Sequence, residues 1–233
     1  MPEGERTPSP SPLMESVVIA SLAVAALSLF LFAWIAEKML AGATMHFDLG
    51  VRSWVHQFAS PNMTRAMIVI SLLGYDILIV ELVIALAVFL YLGWRYAAAW
   101  LAVSVAGALV LDLVLKYSFQ RPRPQPFFGA APHSYSFPSG HALCSFCFYG
   151  VLAGLIAART RSMFLRVSVG IIAAVLVAAI GISRIYLGMH YPSDVIAGYL
   201  GAAIWGSTLL ILDRWRPRRR RASRISPGTM TKV

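Results

Sequence analysis

Residues 96–117 read YAAAWLAVSVAGALVLDLVLKY. The run holds two charges, Asp112 and Lys116, and both stand near its C-terminal end. About 20 helical residues cross the hydrocarbon core of a bilayer. The stretch therefore predicts a membrane helix whose last turns meet the polar boundary. Five more apolar runs lie at about 14–36, 66–93, 140–158, 165–183 and 194–213. The second of these is long enough to tilt or to project past the bilayer on one side. Lipid offers no partners to backbone polar groups, so the runs are read as helices and not as open strands. Composition agrees, with 58% hydrophobic and 13% charged residues, about half the charged share of a soluble domain. The expected fold is all-α, an integral membrane bundle of six transmembrane helices.

The remaining segments flank that domain, taken as 14–213. Residues 1–13, with Pro2, Pro8, Pro10 and Pro12, are expected to be a disordered polar arm. Ala41-Gly42-Ala43 resembles a signal cleavage site, but the apolar stretch Leu13–Ile35 is too long for a signal core. The first helix is therefore read as a retained anchor. The formal net charge of +10 invites a nucleic-acid reading, yet eight of the 20 Lys and Arg residues lie in the tail 214–233. That block directly follows a membrane helix. It reads as a cytoplasmic anchor that touches anionic lipid, and no nucleic-acid partner is expected. Cys144 and Cys147 form a C-x-x-C inside an apolar helix. A redox motif needs a βαβ setting, so both are read as small core residues.

Loop charges set an orientation. With both termini cytoplasmic, that side carries Arg6, Arg95, Arg159, Arg161, Arg166 and the tail. The outer side carries Lys38, Arg52, Arg65, Lys116, Arg121, Arg123 and Arg184. The imbalance favours a multi-pass cell-membrane protein with cytoplasmic termini. Residues 37–65, with Trp54, His56 and Phe58, are expected along the outer interface as an amphipathic stretch.

Three polar segments then fall on the same outer side, each at a helix end. They are Lys116 to Arg123-Pro124, Pro138-Ser139-Gly140-His141, and Ser183-Arg184 through His190 to Asp194. Lys116, Arg123 and Arg184 beside two histidines would repel one another without an anion. Ionisable groups at a membrane mark a functional site by default. A phosphate suits this set, because guanidinium groups bind its oxygens bidentately and a lysine adds a point charge. Ser139 and Gly140 open the fourth helix, where free N–H groups favour an anion. Asp194, four residues after His190, could accept Nδ1–H of its ring and leave Nε2 free to attack phosphorus. His141 remains to protonate the leaving group. The expected active site thus sits at the outer membrane–water interface.

Read together, the segments match K-x6-RP, PSGH and SR-x5-H-x3-D. The sequence therefore resembles the type 2 phosphatidic acid phosphatase superfamily of integral-membrane lipid phosphatases. The resemblance implies that His190 is a nucleophile forming a phosphohistidine, with Asp194 orienting it and His141 as the acid. It implies phosphate binding by Lys116, Arg123, Ser139, Gly140 and Arg184. It implies no cofactor and no metal, and the sequence has neither His-Glu-x-x-His nor carboxylates clustered near the site. Two accessory residues are singled out. Asp112 stands at i, i+4 from Lys116 and could steer its ammonium. Glu81, inside the second run, is a candidate substrate or proton contact whose alternative is a buried hydrogen bond to a neighbouring helix.

The expected reaction is removal of phosphate from a membrane lipid phosphate or diphosphate. Undecaprenyl diphosphate leads, with phosphatidic acid, phosphatidylglycerophosphate and lipid A phosphate as rivals. Phosphotransfer to another lipid is the alternative, and an anion or lipid transporter the more distant one. No oligomeric state follows from the sequence. Gly198, Ala202 and Gly206, and likewise Gly170, Ala174 and Ala178, recur every four residues and are read as close-packing rows. Phe127, Phe128, Tyr135 and Phe137 are expected to be an aromatic loop at the interface.

Overall fold

Apolar runs become helices throughout the computed structural model, which describes residues 12–130 and 132–215. The helices are α1 (Pro12–Leu40), α2 (Met45–His56), α3 (Pro61–Leu72), α4 (Leu78–Tyr91) and α5 (Arg95–Phe119). Then follow α6 (Gly140–Ser145), a π-helical turn (Phe146–Gly150), α7 (Val151–Ala157), α8 (Met163–Tyr186) and α9 (Pro192–Trp215). No strand occurs among the described residues. The expected arm lies outside the described residues up to residue 11, and α1 already begins at Pro12. The expected tail lies outside them from residue 216.

Among the described residues, five helical segments are long and apolar enough to cross a membrane: Glu15–Leu40, Arg95–Phe119, Gly140–Ala157, Met163–Tyr186 and Pro192–Arg214. The second apolar run differs from its expected single helix. It is divided into α3 and α4, both shorter than a membrane span, with a turn at 73–77. The physical reason lies in Gly74 and Asp76. A Cβ on Gly74 would stand 2.4 Å from Ile180 Cγ2 and 3.1 Å from His141 Cδ2, so the chain turns where it passes closest to α8 and α6. Asp76 leaves the apolar run and reaches His141.

α2 is amphipathic with its polar face turned inward. Asp48 and Arg52 are buried, while Met45, Phe47, Leu49 and Trp54 are exposed. The same outward apolar surface clothes α1 and α8, through Ile19, Phe30, Ile171 and Ile172 among others. Association of such helices depends on close van der Waals packing and interhelical hydrogen bonds, because lipid is as apolar as the side chains. Two contacts show this. Trp205 of α9 covers Gly107 of α5, where a Cβ would fall 2.1 Å from Cζ2, and its indole N–H donates to Ser104 O at 3.0 Å. Gly198 lets α9 approach Ser139, whose carbonyl would lie 2.6 Å from an added Cβ.

The buried core runs through Leu101, Val105 and Ala108 of α5, Leu143, Cys144 and Phe148, and Ala202 of α9. Both cysteines are free and buried in it, as the apolar setting implied. Gly198 and Ala202 pack as expected, whereas Gly206 has no atom within 4 Å of an added Cβ. Gly170, Ala174 and Ala178 do not close on a neighbour but line an open lateral groove of 520 Å³ with Gly150, Gly154 and Arg166. Gly170 and Gly154 have no atom within 4 Å of an added Cβ, so these helices splay there.

Candidate active site

One end of the bundle gathers the ends of α5, α6, α8 and α9. α5 stops on Gln120, whose left-handed backbone (φ 46°) closes the helix with N–H to Lys116 O at 2.9 Å. The chain then turns Arg121 and Arg123 back over the bundle end. Phe127 N–H donates to Leu187 O at 3.0 Å, so the loop before α6 and the loop before α9 lie side by side. His190 stands in the second of these loops.

His190 is buried, and its two nitrogens have different partners. Nδ1 lies 3.4 Å from Asp194 Oδ2, and Nε2 lies 3.1 Å from Arg123 Nη1. A guanidinium only donates, so Nε2 accepts and the proton sits on Nδ1, facing the carboxylate. Burial, with the charges of Arg123 and Arg184, lowers the His190 pKa from 6.5 to about 3, against the pull of Asp194. The imidazole is therefore neutral at ordinary pH. Asp194 Oδ2 also accepts Tyr191 N–H at 2.9 Å and the Ser136 hydroxyl.

Arg123 is anchored by Nε to Ser134 O at 2.6 Å and by Nη1 to Met189 O at 3.0 Å. Burial lowers its pKa, opposed by Asp194 and Asp112, which places it between the His190 pair and the α5 residues. There Lys116 Nζ donates to Asp112 Oδ2 at 2.8 Å, the expected i, i+4 pairing. The Asp112 carboxylate lies against Gly140, where an added Cβ would fall 2.7 Å from Oδ2 and 2.8 Å from Oδ1. Only glycine admits it. Asp112 Oδ1 and Arg184 Nε are buried without a hydrogen-bond partner among the described residues. Arg184 Nη1 donates to the Ser71 hydroxyl.

Ser139 caps α6. Its Oγ accepts Ala142 N–H at 3.5 Å and its own N–H donates to Asp194 O at 2.9 Å. The N–H groups of Gly140 and His141 remain the ones without an intrahelical acceptor. His141 stacks on Tyr75, with ring centroids 5.3 Å apart, and Nε2 is 3.5 Å from Asp76 Oδ2. The His141 ring beside it holds the Asp76 carboxyl below its usual range, against burial. Thus the structure brings together all eight residues expected to catalyse or to bind phosphate, and Asp112 with them. Glu81 instead accepts from the Tyr149 hydroxyl at 2.8 and 2.9 Å, the neighbouring-helix bond that was its alternative.

Sequence reasoning missed Asp76, Arg121, Asp48 and Ser136. Asp76 was signalled by Gly-Tyr-Asp interrupting an apolar run, and Asp48 with Arg52 by their i, i+4 spacing. Arg121 looked like one more loop cation. Among the described residues, no group of three or more His, Cys, Asp or Glu is arranged to hold a metal.

An all-helical membrane bundle with a buried Arg–His–Asp line at one end defines a class of membrane enzyme. Sequence comparison gives the family: the chain belongs to the PAP2 superfamily, whose model matches residues 97–218. Phosphatidylglycerophosphatase B of Bacillus subtilis is 31% identical over 180 residues, 74% of this chain and 86% of that protein. The undecaprenyl-diphosphatase of Sulfolobus acidocaldarius is 31% identical over 181 residues, 75% of this chain and 82% of the relative. A crystal structure of a transmembrane PAP2-type phosphatidylglycerolphosphate phosphatase from Bacillus subtilis superposes with a TM-score of 0.75 at 27% identity. The match covers 84% of this chain and 98% of that one.

Proposed function

We propose that this protein is a membrane lipid phosphatase that works through a phosphohistidine on His190, with its active site on the extracytoplasmic side. The observation that carries the reading is the line from Arg123 Nη1 through His190 to Asp194 Oδ2, which holds a neutral imidazole with Nε2 turned to a cation. A phosphoryl group that takes over the donors of Arg123 frees that lone pair. Nε2 then forms the N–P bond as the P–O bond to the lipid breaks. His141 gives a proton to the departing oxygen, and Asp76 supplies the counter-charge for its imidazolium. In the second half, His141 takes a proton from water, the water oxygen attacks phosphorus, and the N–P bond breaks. Phosphate leaves and both histidines are restored. Arg123, Arg184, Lys116 and the N–H groups of Gly140 and His141 stabilise charge on the equatorial oxygens. Of the buried atoms without a hydrogen-bond partner, Arg184 Nε offers a free donor, and Asp112, whose Oδ1 is another, keeps Lys116 in place through Oδ2.

The relatives' names point to phosphatidylglycerophosphate and undecaprenyl diphosphate as the first substrates to try. Purified protein is expected to release phosphate from at least one lipid of a panel of these two, phosphatidic acid and lipid A, with the rate unchanged by chelator. Silence on every lipid defeats the phosphatase reading, and loss of activity in chelator defeats the mechanism.

Asp76→Asn tests the acid. General acid catalysis contributes about 10²- to 10⁴-fold, so weakening its counter-charge should slow lipid phosphate turnover by about 10-fold or more. A leaving group that needs no proton, such as the nitrophenolate of p-nitrophenyl phosphate, should be spared. Equal loss on both substrates would remove Asp76 from this role.

A further inference from the structure

We propose that Arg121 and Asp48 are positioning residues for the His190–Asp194 pair, so that the interfacial helix α2 is wired to the nucleophile. The proposal rests on the reading of His190 as nucleophile.

Asp194 has two oxygens and divides them. Oδ2 serves His190 Nδ1, Tyr191 N–H and the Ser136 hydroxyl. Oδ1 is held from behind by Arg121 Nη1 at 2.5 Å. Rotating the carboxylate to carry Oδ2 away from His190 would break that bond. Arg121 is itself fixed on its other prong, where Nη2 donates to Asp48 Oδ2 at 2.7 Å and to Thr44 Oγ1 at 3.3 Å. Its face lies 4.1 Å from the centre of the Tyr191 ring, one residue from the nucleophile. Asp48 is fully buried and closes the unit on α9, with Oδ1 accepting Ser193 N–H at 3.0 Å and Oδ2 the Ser193 hydroxyl at 2.7 Å. Ser193 in turn accepts from Arg121 Nη1 at 2.8 Å.

The charge balance matters as much as the geometry. Two buried carboxylates share one guanidinium, so the unit carries one net negative charge facing the His190 ring. Burial opposes the charge of Arg121, but Asp194 and Asp48 outweigh it and raise its pKa. The charged and titratable groups near Asp194 are Arg121, Asp48, His190, Arg123, Arg52 and Tyr191. Among the described residues, only Arg121 bridges both carboxylates. Arg121 touches no reacting atom, and Lys116, Arg123 and Arg184 remain to bind phosphate without it.

The test uses full-length protein in detergent, with phosphatidylglycerophosphate and undecaprenyl diphosphate as substrates. Arg121→Gln should lower kcat by about 100-fold, the upper end of what losing a residue that supports a working group costs, and change KM little. It leaves two carboxylates without their cation, so the acid limb of the kcat profile should move to higher pH. Adding Asp48→Asn to Arg121→Gln restores the single negative charge and should bring the limb back. Arg121→Lys keeps the charge but cannot fork to both carboxylates, so it should recover the pH profile better than kcat. If Arg121→Gln does not fold, Asp48→Asn alone is measured, and its acid limb should move to lower pH. An unmoved pH profile in whichever of these variants folds overturns the proposal. So does a kcat loss that a lower fraction of folded protein fully accounts for. His190→Asn is run alongside. If it is inactive while the Arg121 variant matches wild type, this proposal alone fails. If His190→Asn turns over normally, the nucleophile reading fails and takes this proposal with it.

Discussion

His190→Asn is expected to cut phosphate release by about 10⁴-fold or more, the scale on which removing a nucleophile acts, while the protein still purifies folded. The expectation follows from the partners of the ring. Nε2 accepts from Arg123 and Nδ1 faces Asp194, so the side chain is a neutral base aimed at the cationic pocket. Asparagine can keep a hydrogen bond to Asp194 but has no nucleophile to place against Arg123. Wild-type protein given radiolabelled substrate and quenched in alkaline detergent should carry label that survives base and is lost in acid, and the variant none. Turnover within 10-fold of wild type would sink the nucleophile assignment. The same burial has a thermal consequence. The folded pKa of about 3 lies below the ordinary 6.5, so between these values the unfolded chain binds the proton that the folded protein refuses. Stability from this residue is therefore full above about 6.5 and is lost as pH falls toward about 3. The melting-temperature difference between wild type and His190→Asn should shrink over that window, and a constant difference would contradict it.

Sequence spacing reveals the site where chemistry is local and conceals it where the partners are distant. His190 and Asp194 are one turn apart, and so are Asp112 and Lys116. Their pairing follows from the chain itself, and both pairs form. The PSGH segment was legible because a helix start has its own signature, and Ser139 does cap α6. Arg121 was opaque for the opposite reason. Its partners Asp48 and Asp194 lie 73 residues away on either side, and no periodicity links them. α2 was read by its aromatic residues as an interfacial stretch, which fits its exposed face. Its buried face carries Asp48 and Arg52, and a polar inward face is what remains when lipid surrounds the outer one. The second apolar run misled through hydropathy alone. Averaged over its length it is one helix, yet Gly74 and Asp76 mark where the chain bends to meet His141. Helix packing was legible in part. Gly198 and Ala202 pack tightly but Gly206 does not, and the Gly170 row faces an open groove, so a small-residue repeat does not say whether a neighbour is present.

Asp194→Asn is expected to lower kcat by about 10⁴-fold, the size found when the carboxylate that orients a catalytic histidine becomes an amide, with KM nearly unchanged. The reason is that every partner of Asp194 is a donor. Arg121 Nη1 donates to Oδ1, and His190 Nδ1–H, Tyr191 N–H and the Ser136 hydroxyl converge on Oδ2. An asparagine must turn its NH₂ toward one group or the other. Facing Arg121, it sets donor against donor beside a buried cation and leaves Asp48 as that cation's sole carboxylate. Facing His190, it sets its N–H against Nδ1 and drives the ring into the other tautomer. The proton then sits on Nε2, opposite the donors of Arg123, and the lone pair that should attack phosphorus is gone. The second arrangement removes the nucleophile, the first loosens the group that orients it, and neither touches Lys116, Arg184 or the α6 N–H groups, so substrate should still bind. The check is kcat and KM on the most active lipid of the panel, together with base-stable, acid-labile label after an alkaline quench. A kcat within 10-fold of wild type would mean that Asp194 does not set the tautomer. Labelled protein accumulating with slow release would place its role in the second half of the reaction instead.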